Sequence, residues 1–136
     1  MAKLLDDQAK KIVENFQSGK RDATIIIFIP QKDKSGRILA DQDQWANAAH
    51  DLFARLFGGA TGFTNLSGSW LNKERNEIHF EAPIMIQTLT KRENVTEASV
   101  SEVLTFARRL GAKTKQACVG VVVSDVFYEI YDFEDV

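Results

Sequence analysis

The sequence contains very little cysteine and proline, and it has no long hydrophobic run. Its 136 residues include one cysteine and two prolines. The single thiol, Cys118, cannot form an internal disulfide, which excludes a disulfide-stapled domain. Two prolines and eight glycines exclude collagen-like and low-complexity chains. No run approaches the roughly 20 apolar residues that a membrane-spanning helix needs, so we expect no membrane partner.

The chain also lacks an excess of charge of either sign. Seventeen basic and nineteen acidic residues give a formal net charge of -2. This balance supplies no long-range attraction to phosphate backbones, so we expect no nucleic-acid partner. The segment Met1–Asp7 has no apolar core of the kind found in signal peptides, which predicts a cytoplasmic protein.

The apolar periodicity predicts an N-terminal helix followed by one mixed domain. Residues 1–19 form the predicted helical extension, because apolar side chains recur there at helical spacing and Ser18 and Gly19 supply a stop signal. These apolar side chains are Leu5, Ala9, Ile12 and Phe16. We expect the stripe to pack on the domain or on a partner. Residues 23–132 form the predicted single α+β domain.

The order of elements in that domain is β-α-β-β-α-β. The predicted strands are Thr24–Ile29, Thr61–Leu71, Ile78–Ile86 and Ala117–Tyr131, the last with a break at Ser124–Asp125. One helix runs from Asp41 to Gly58, and the other ends at Gly111 after starting at Asn94, Thr96 or Ser99. This order predicts a ferredoxin-like fold with the first and third strands as the central pair. Its last strand would lie on an edge and need cover.

Few residues in the sequence are suited to metal or phosphate chemistry. His50 and His79 are the only histidines, and no pair of ligand residues has metal-binding spacing, so we expect no metal and no cofactor. The glycine-rich segment Gly58–Gly62 follows a predicted helix and precedes a strand. Phosphate-binding loops have the reverse order, so we interpret these glycines as a helix cap and turn.

An acid, an imidazole and an acid alternate along the third predicted strand. Glu77, His79 and Glu81 would share one face, and a carboxylate beside an imidazole can support acid/base chemistry. The alternative is an ordinary solvated strand face. Trp70 follows Gly68 by two residues, so both would lie on one face of the preceding strand.

The chain resembles a small bacterial α+β family of unassigned function. The resemblance rests on Trp45, Gly62–Thr64, Gly68–Trp70, Glu77 and Gln116–Val119, and it spans about residues 24 to 125. It implies a fold and candidate positions, and it implies no reaction. The N-terminal helix and the acidic C-terminal tail depart from the family's pattern.

Two functions fit these features. The first is a non-catalytic binding or interaction module, expected to be a homodimer because an open sheet leaves one face uncovered. The alternative is a small cofactor-free enzyme with a pocket near Trp70, in which His79 and Glu81 are acid/base groups and Arg75 steers an anionic substrate. A protein partner or a small ligand is expected in either case. The candidate ligand-binding residues are Trp70, Arg75, Glu77, His79, Glu81 and Gln116.

Overall fold

The computed structural model describes residues 6–16 and 19–133. The helices are α1 (Asp7–Asn15), α2 (Gln42–Phe57) and α3 (Glu97–Lys113), with a single 3-10 turn at Arg92–Asn94. The strands are β1 (Ala23–Ile29), β2 (Thr61–Phe63), β3 (Gly68–Asn72), β4 (Glu77–Glu81), β5 (Ile84–Thr90), β6 (Val119–Val123) and β7 (Val126–Ile130). Within the described ranges, no helix is long and apolar enough to cross a membrane.

The main sheet is antiparallel and has the strand order β2-β5-β1-β6-β7. After α1 the elements follow the ferredoxin-like order β-α-β-β-α-β, with each middle strand divided in two and β7 added at one edge. The predicted central pair is confirmed, because all seven residues of β1 pair with β5, from Ala23 with Thr90 to Ile29 with Ile84. The β-branched run in β1 therefore lies in the middle of the sheet.

The hydrophobic core lies between this sheet and helices α2 and α3. Alternate residues of β1 point into it, and Ile25, Ile27 and Ile29 are fully buried. Phe53 of α2 and Leu110 of α3 are also fully buried against the same sheet face. Each such side chain contributes about 1.5–3 kcal/mol by leaving water, so this face of the sheet stabilises the domain.

The hairpin formed by the second and third predicted strands is interrupted, so that each of the two strands is divided into an inner and an outer half. The predicted strand Thr61–Leu71 divides into β2 and β3, and the next strand is interrupted at Ala82 and Pro83. Proline cannot donate to the strand ladder, which explains the interruption. The outer halves, β3 and β4, pair only with each other and form a separate two-stranded unit, called the ribbon below. The alternating pattern from Ile78 to Ile86 therefore does not belong to one half-buried strand.

The last predicted strand divides at the expected break into β6 and β7, and β7 supplies the cover that the apolar β6 needs at this edge. Ser124 and Asp125 both have positive φ, 47° and 72°, as in the tight two-residue turns of β-hairpins. The chain reverses there and β7 pairs with β6 from Val123–Val126 to Val119–Ile130. The edge strand on this side is therefore β7.

The helix ends follow from local capping. The Thr96 side chain accepts from the Ser99 backbone N–H, so α3 begins after Thr96, one of the three starts that the sequence left open. Helix α2 ends at Gly58, whose φ of 97° suits glycine. Asp41 precedes α2 but makes no side-chain cap, because its carboxylate accepts instead from the Trp45 indole N–H at 3.1 Å.

Helix α1 is separate from the core. It begins after Asp6, whose carboxylate accepts from the Ala9 N–H at 2.8 Å, and none of its residues is buried. Ile12 is 60 % exposed and Phe16 is 79 % exposed. The described part of the apolar stripe is thus not buried by the domain, and Leu5 lies outside the described residues. The division into 1–19 and 23–132 stays a prediction.

Candidate ligand-binding cleft

A partly open cleft of about 1000 Å³ lies between the ribbon and the uncovered face of the main sheet. The floor comes from β1 and β6, one wall from β7, and the other wall from the ribbon. The loop after β1 and the segment after α3 close one end. These elements meet because the bend at Pro83 carries the ribbon out of the plane of the sheet.

The walls of the cleft are largely aromatic and aliphatic. Phe28 of β1 and Phe127 of β7 pack edge to face, with their ring centroids 6.3 Å apart. Gly120 makes this contact possible, because a Cβ at that position would lie 2.7 Å from the Phe127 ring. Phe80 and Ile78 of the ribbon also line the cleft, and both are more than half exposed. A ligand in the cleft would therefore remove apolar surface from water.

Trp70 and His79 form a stacked pair on the ribbon. They lie directly opposite each other on β3 and β4, with ring centroids 4.7 Å apart and ring planes inclined by 17°. The Nε2 atom of His79 is buried without a hydrogen-bond partner, and it lies 3.7 Å from Oε2 of Glu77. Trp70 is 41 % exposed, so it lies outside the hydrophobic core.

Glu81 fastens the ribbon to the loop after β1. Its Oε1 atom accepts from the backbone N–H of Gln31 at 2.8 Å and of Lys32 at 3.2 Å. Gln31 returns a contact, because its Oε1 accepts from the Ala82 N–H at 2.8 Å. The Lys32 ammonium donates to the carbonyl of Phe80 at 3.0 Å. These reciprocal bonds fix the position of Glu81 at the end of the cleft.

Gln116 holds the same loop from the other side. Its Nε2 donates to the carbonyls of Lys32 at 2.9 Å and Thr114 at 3.1 Å. The left-handed backbone of Lys115 turns the chain out of α3, and the Gln116 N–H donates to the carbonyl of Gly111. The end of α3 thus places the amide of Gln116 beside the loop that Glu81 contacts.

Cys118 lines the cleft near two carboxylates. Partial desolvation of this thiol raises its pKa above the ordinary value, and the negative charges of Glu129 and Glu81 raise it further. Both effects disfavour the thiolate. The thiol is therefore a poor nucleophile near neutral pH.

The structure brings four of the six sequence candidates to the cleft: Trp70, His79, Glu81 and Gln116. The other two lie outside its lining. Arg75 is exposed in the hairpin turn, where its N–H donates to the Asn72 side chain at 3.2 Å, and Glu77 is exposed on β4. Sequence reasoning missed Phe28, Phe127, Gln31, Lys32 and Glu129. The one sequence signal that could have indicated them is the pair of polar residues, Gln31 and Lys32, directly after the apolar strand that ends at Pro30.

The charged side chains that line the cleft are balanced. Three lysines (Lys32, Lys34 and Lys73) and three acids (Asp33, Glu81 and Glu129) surround it. In the part of the chain that the structure describes, no three potential metal ligands cluster together. The balance favours a ligand that carries both charges and apolar surface over a simple polyanion.

No protein-family model matches the chain, and no curated protein sequence matches it. Solved structures match by shape. A phage SAM lyase in complex with S-methyl-5'-thioadenosine matches with a TM-score of 0.60 and 14 % identity, over 87 % of this chain and 95 % of that chain. A phage SAM lyase in the apo state has a TM-score of 0.54 and 15 % identity, over 83 % and 91 %.

A third match is the divalent ion tolerance protein CutA1 from Ehrlichia chaffeensis, with a TM-score of 0.44 and 13 % identity, over 86 % of this chain and 89 % of that chain. At these identities the comparisons bear on the fold alone. The chain has a ferredoxin-like α+β fold, and it shares this architecture with the phage SAM lyase over nearly the whole length of both chains.

Proposed function

We propose that the chain is a small enzyme that binds S-adenosylmethionine in the cleft and cleaves it to S-methyl-5'-thioadenosine. The observation that carries the proposal is the cleft itself, which joins an aromatic pair, a fixed carboxylate and an amide. The shared fold supports it, because one of the matching lyase structures holds S-methyl-5'-thioadenosine.

The lining has the chemistry that such a substrate needs. Small-molecule sites of roughly 300–1000 Å³ bury most of a ligand behind apolar walls with a few placed polar groups. The exposed indole of Trp70 offers a flat surface on which an adenine ring can stack. A sulfonium cation is attracted to aromatic faces and to carboxylates, and Phe127 and Glu129 line the β7 wall beside Phe28 of the floor.

The proposed reaction needs no cofactor. The bond between sulfur and the four-carbon amino acid breaks, and its electron pair stays on sulfur, so the sulfonium becomes a neutral thioether. The remaining fragment either closes on its own carboxylate oxygen to form a lactone or loses a proton to a side chain to form an alkene. In the second route the base would be His79 or Glu81. Both routes balance without water, oxidant or metal.

The test is to incubate the purified chain with S-adenosylmethionine and separate the products by chromatography. We expect S-methyl-5'-thioadenosine to appear in equal amount to the substrate lost. Magnetic resonance of the four-carbon product distinguishes lactone from alkene. If neither binding nor product is detected at millimolar substrate, the proposal is wrong.

Matched variants locate the activity in the cleft. Glu81→Gln and Trp70→Ala should lower product formation at least tenfold. Glu74→Gln makes the same chemical change as Glu81→Gln in the exposed hairpin turn of the ribbon, outside the cleft lining, and should retain activity. Equal losses in the two glutamate variants would show that the cleft does not hold the substrate.

The second candidate is a non-catalytic module that binds a ligand or associates with itself as a homodimer. The uncovered sheet face favours it, because Leu89 is 51 % exposed and Phe127 is 55 % exposed there. Helix α1 adds exposed apolar surface. Binding of S-adenosylmethionine without product would favour this candidate. A cytoplasmic location is part of both proposals.

A further inference from the structure

The outer edge of β7 is an exposed apolar edge of the main sheet. Among the described residues, no strand pairs with that edge. Val126, Phe127 and Tyr128 are each about half exposed, and Tyr131 just beyond the strand is 72 % exposed. Natural edge strands carry lysine, proline or a bulge that blocks pairing with another chain, whereas β7 pairs regularly with β6 and has only Glu129 as a charge.

We propose that β7 pairs antiparallel with β7 of a second copy of this chain, about a two-fold axis that passes midway between the two copies of Tyr128 and is called an axis through Tyr128. The inference rests on the self-association in the second candidate above, and it adds the surface that carries that contact. A two-fold axis normal to the sheet keeps each side chain on its own face. Only pairings centred on a residue are therefore allowed.

Charge selects the register among the central residues of β7. An axis through Phe127 would place Glu129 opposite Asp125 of the partner subunit, and an axis through Glu129 would place two glutamates opposite each other. Like charges directly opposite destabilise a strand pair. An axis through Tyr128 instead places Glu129 opposite Phe127 of the partner subunit and Val126 opposite Ile130 of the partner subunit. The strand is self-complementary in this register.

The exposed area is compatible with a stable contact. Aromatic side chains bury roughly 150–250 Å² each, so the exposed fractions of Val126, Phe127, Tyr128 and Tyr131 correspond to about 400 Å² per protomer. That is about half of the roughly 800 Å² that each partner buries in a standard interface. The backbone of the paired strands and their flanks supplies further area. Because Phe127 and Glu129 also line the cleft, the partner subunit would extend its outer wall.

Sedimentation velocity of the full chain at micromolar concentration tests the inference. We expect twice the protomer mass of 15.3 kDa. Tyr128→Lys places two cations opposite each other and should yield monomers. Leu89→Lys puts the same charge on the uncovered sheet face, away from β7, and should remain a dimer. Circular dichroism checks that both variants fold.

A cross-link provides a second measurement if the lysine variant fails to fold. In a Cys118→Ser background, Tyr128→Cys brings two thiols to the axis, and mild oxidation should give a covalent dimer. A monomeric wild-type chain would overturn both the inference and the proposed self-association. A dimer lost in Leu89→Lys but kept in Tyr128→Lys would overturn the β7 interface alone. A trimer or larger ring would overturn the two-fold pairing. Formation of S-methyl-5'-thioadenosine is measured separately and does not depend on these outcomes.

Discussion

Gly111 of α3 offers a sharp test of how the C-terminal segment is held. The ring of Phe133 lies where a side chain at Gly111 would be, so a Cβ there would overlap the ring. Phe133 is half-buried against the core, and the guanidinium of Arg108 donates to the Asp132 carbonyl at 2.9 Å. The absence of a side chain at Gly111 thus lets the segment after β7 pack onto α3.

Gly111→Ala brings two opposing effects into competition. Alanine is favoured over glycine in a helix interior by about 1 kcal/mol. Against this, the methyl group displaces Phe133, and removing a fully buried phenylalanine costs about 3–5 kcal/mol. Because Phe133 is only half-buried, we take about half of that cost. The net expectation is a loss of about 1 kcal/mol in the free energy of unfolding.

The sign of the change should reverse when Phe133 is removed. In a Phe133→Ala background the methyl group no longer meets the ring, so Gly111→Ala should stabilise the chain by about 1 kcal/mol. Urea unfolding followed by circular dichroism measures all four chains of this cycle. If Gly111→Ala stabilises the chain equally in both backgrounds, Phe133 is not packed on α3 and the reasoning is wrong.

Three further predictions concern the cleft and its border. Cys118 should react with iodoacetamide more slowly than a free thiol at pH 7, because partial desolvation and Glu129 raise its pKa, and Glu129→Gln should speed the reaction. Gln116→Ala should lower the free energy of unfolding by about 1–3 kcal/mol, measured in urea, because it leaves carbonyl groups without a donor. The Asp33 carboxylate accepts from the Arg37 N–H, which holds its pKa below the ordinary value. The turn that contains Asp33 should therefore persist above about pH 4 and loosen as the pH falls through the lowered pKa of this carboxyl. The measurement is amide hydrogen exchange at Arg37, which should become faster at low pH. Asp33→Asn should give the same faster exchange at neutral pH.

The sheet could be predicted from sequence because its signals are local. The β-branched run Thr24–Ile29 specifies a central strand, and capping residues mark the helices that cover one of its faces. The break predicted at Ser124–Asp125 is present, as a hairpin turn in which both residues adopt left-handed conformations. The sequence marked the break, but it did not indicate that the chain reverses there and pairs β7 with β6.

The cleft was only half predictable because it depends on contacts between distant residues. The alternation along β4 placed His79 and Glu81 on one face, and Trp70 pairs with His79 as hairpin geometry allows. The partners of Glu81 are backbone groups 49 and 50 residues away, and no sequence pattern indicates them. Gln116 reaches the carbonyl of Lys32 across 84 residues.

The bend at Ala82–Pro83 separates the ribbon from the main sheet and so creates the cleft between them. An unbroken hairpin would extend the main sheet and leave Glu81 at its edge, open to water. With the bend, the Ala82 N–H, displaced from the strand ladder, is satisfied by Gln31, and its carbonyl accepts from the Gln42 side chain at 3.0 Å. The polar groups freed by the interruption are thus used to attach the ribbon to the loop after β1 and to α2. The same contacts hold Glu81 at the end of the cleft. Loss of the Gln31 or Gln42 side chain should therefore weaken ligand binding while leaving the hydrophobic core folded.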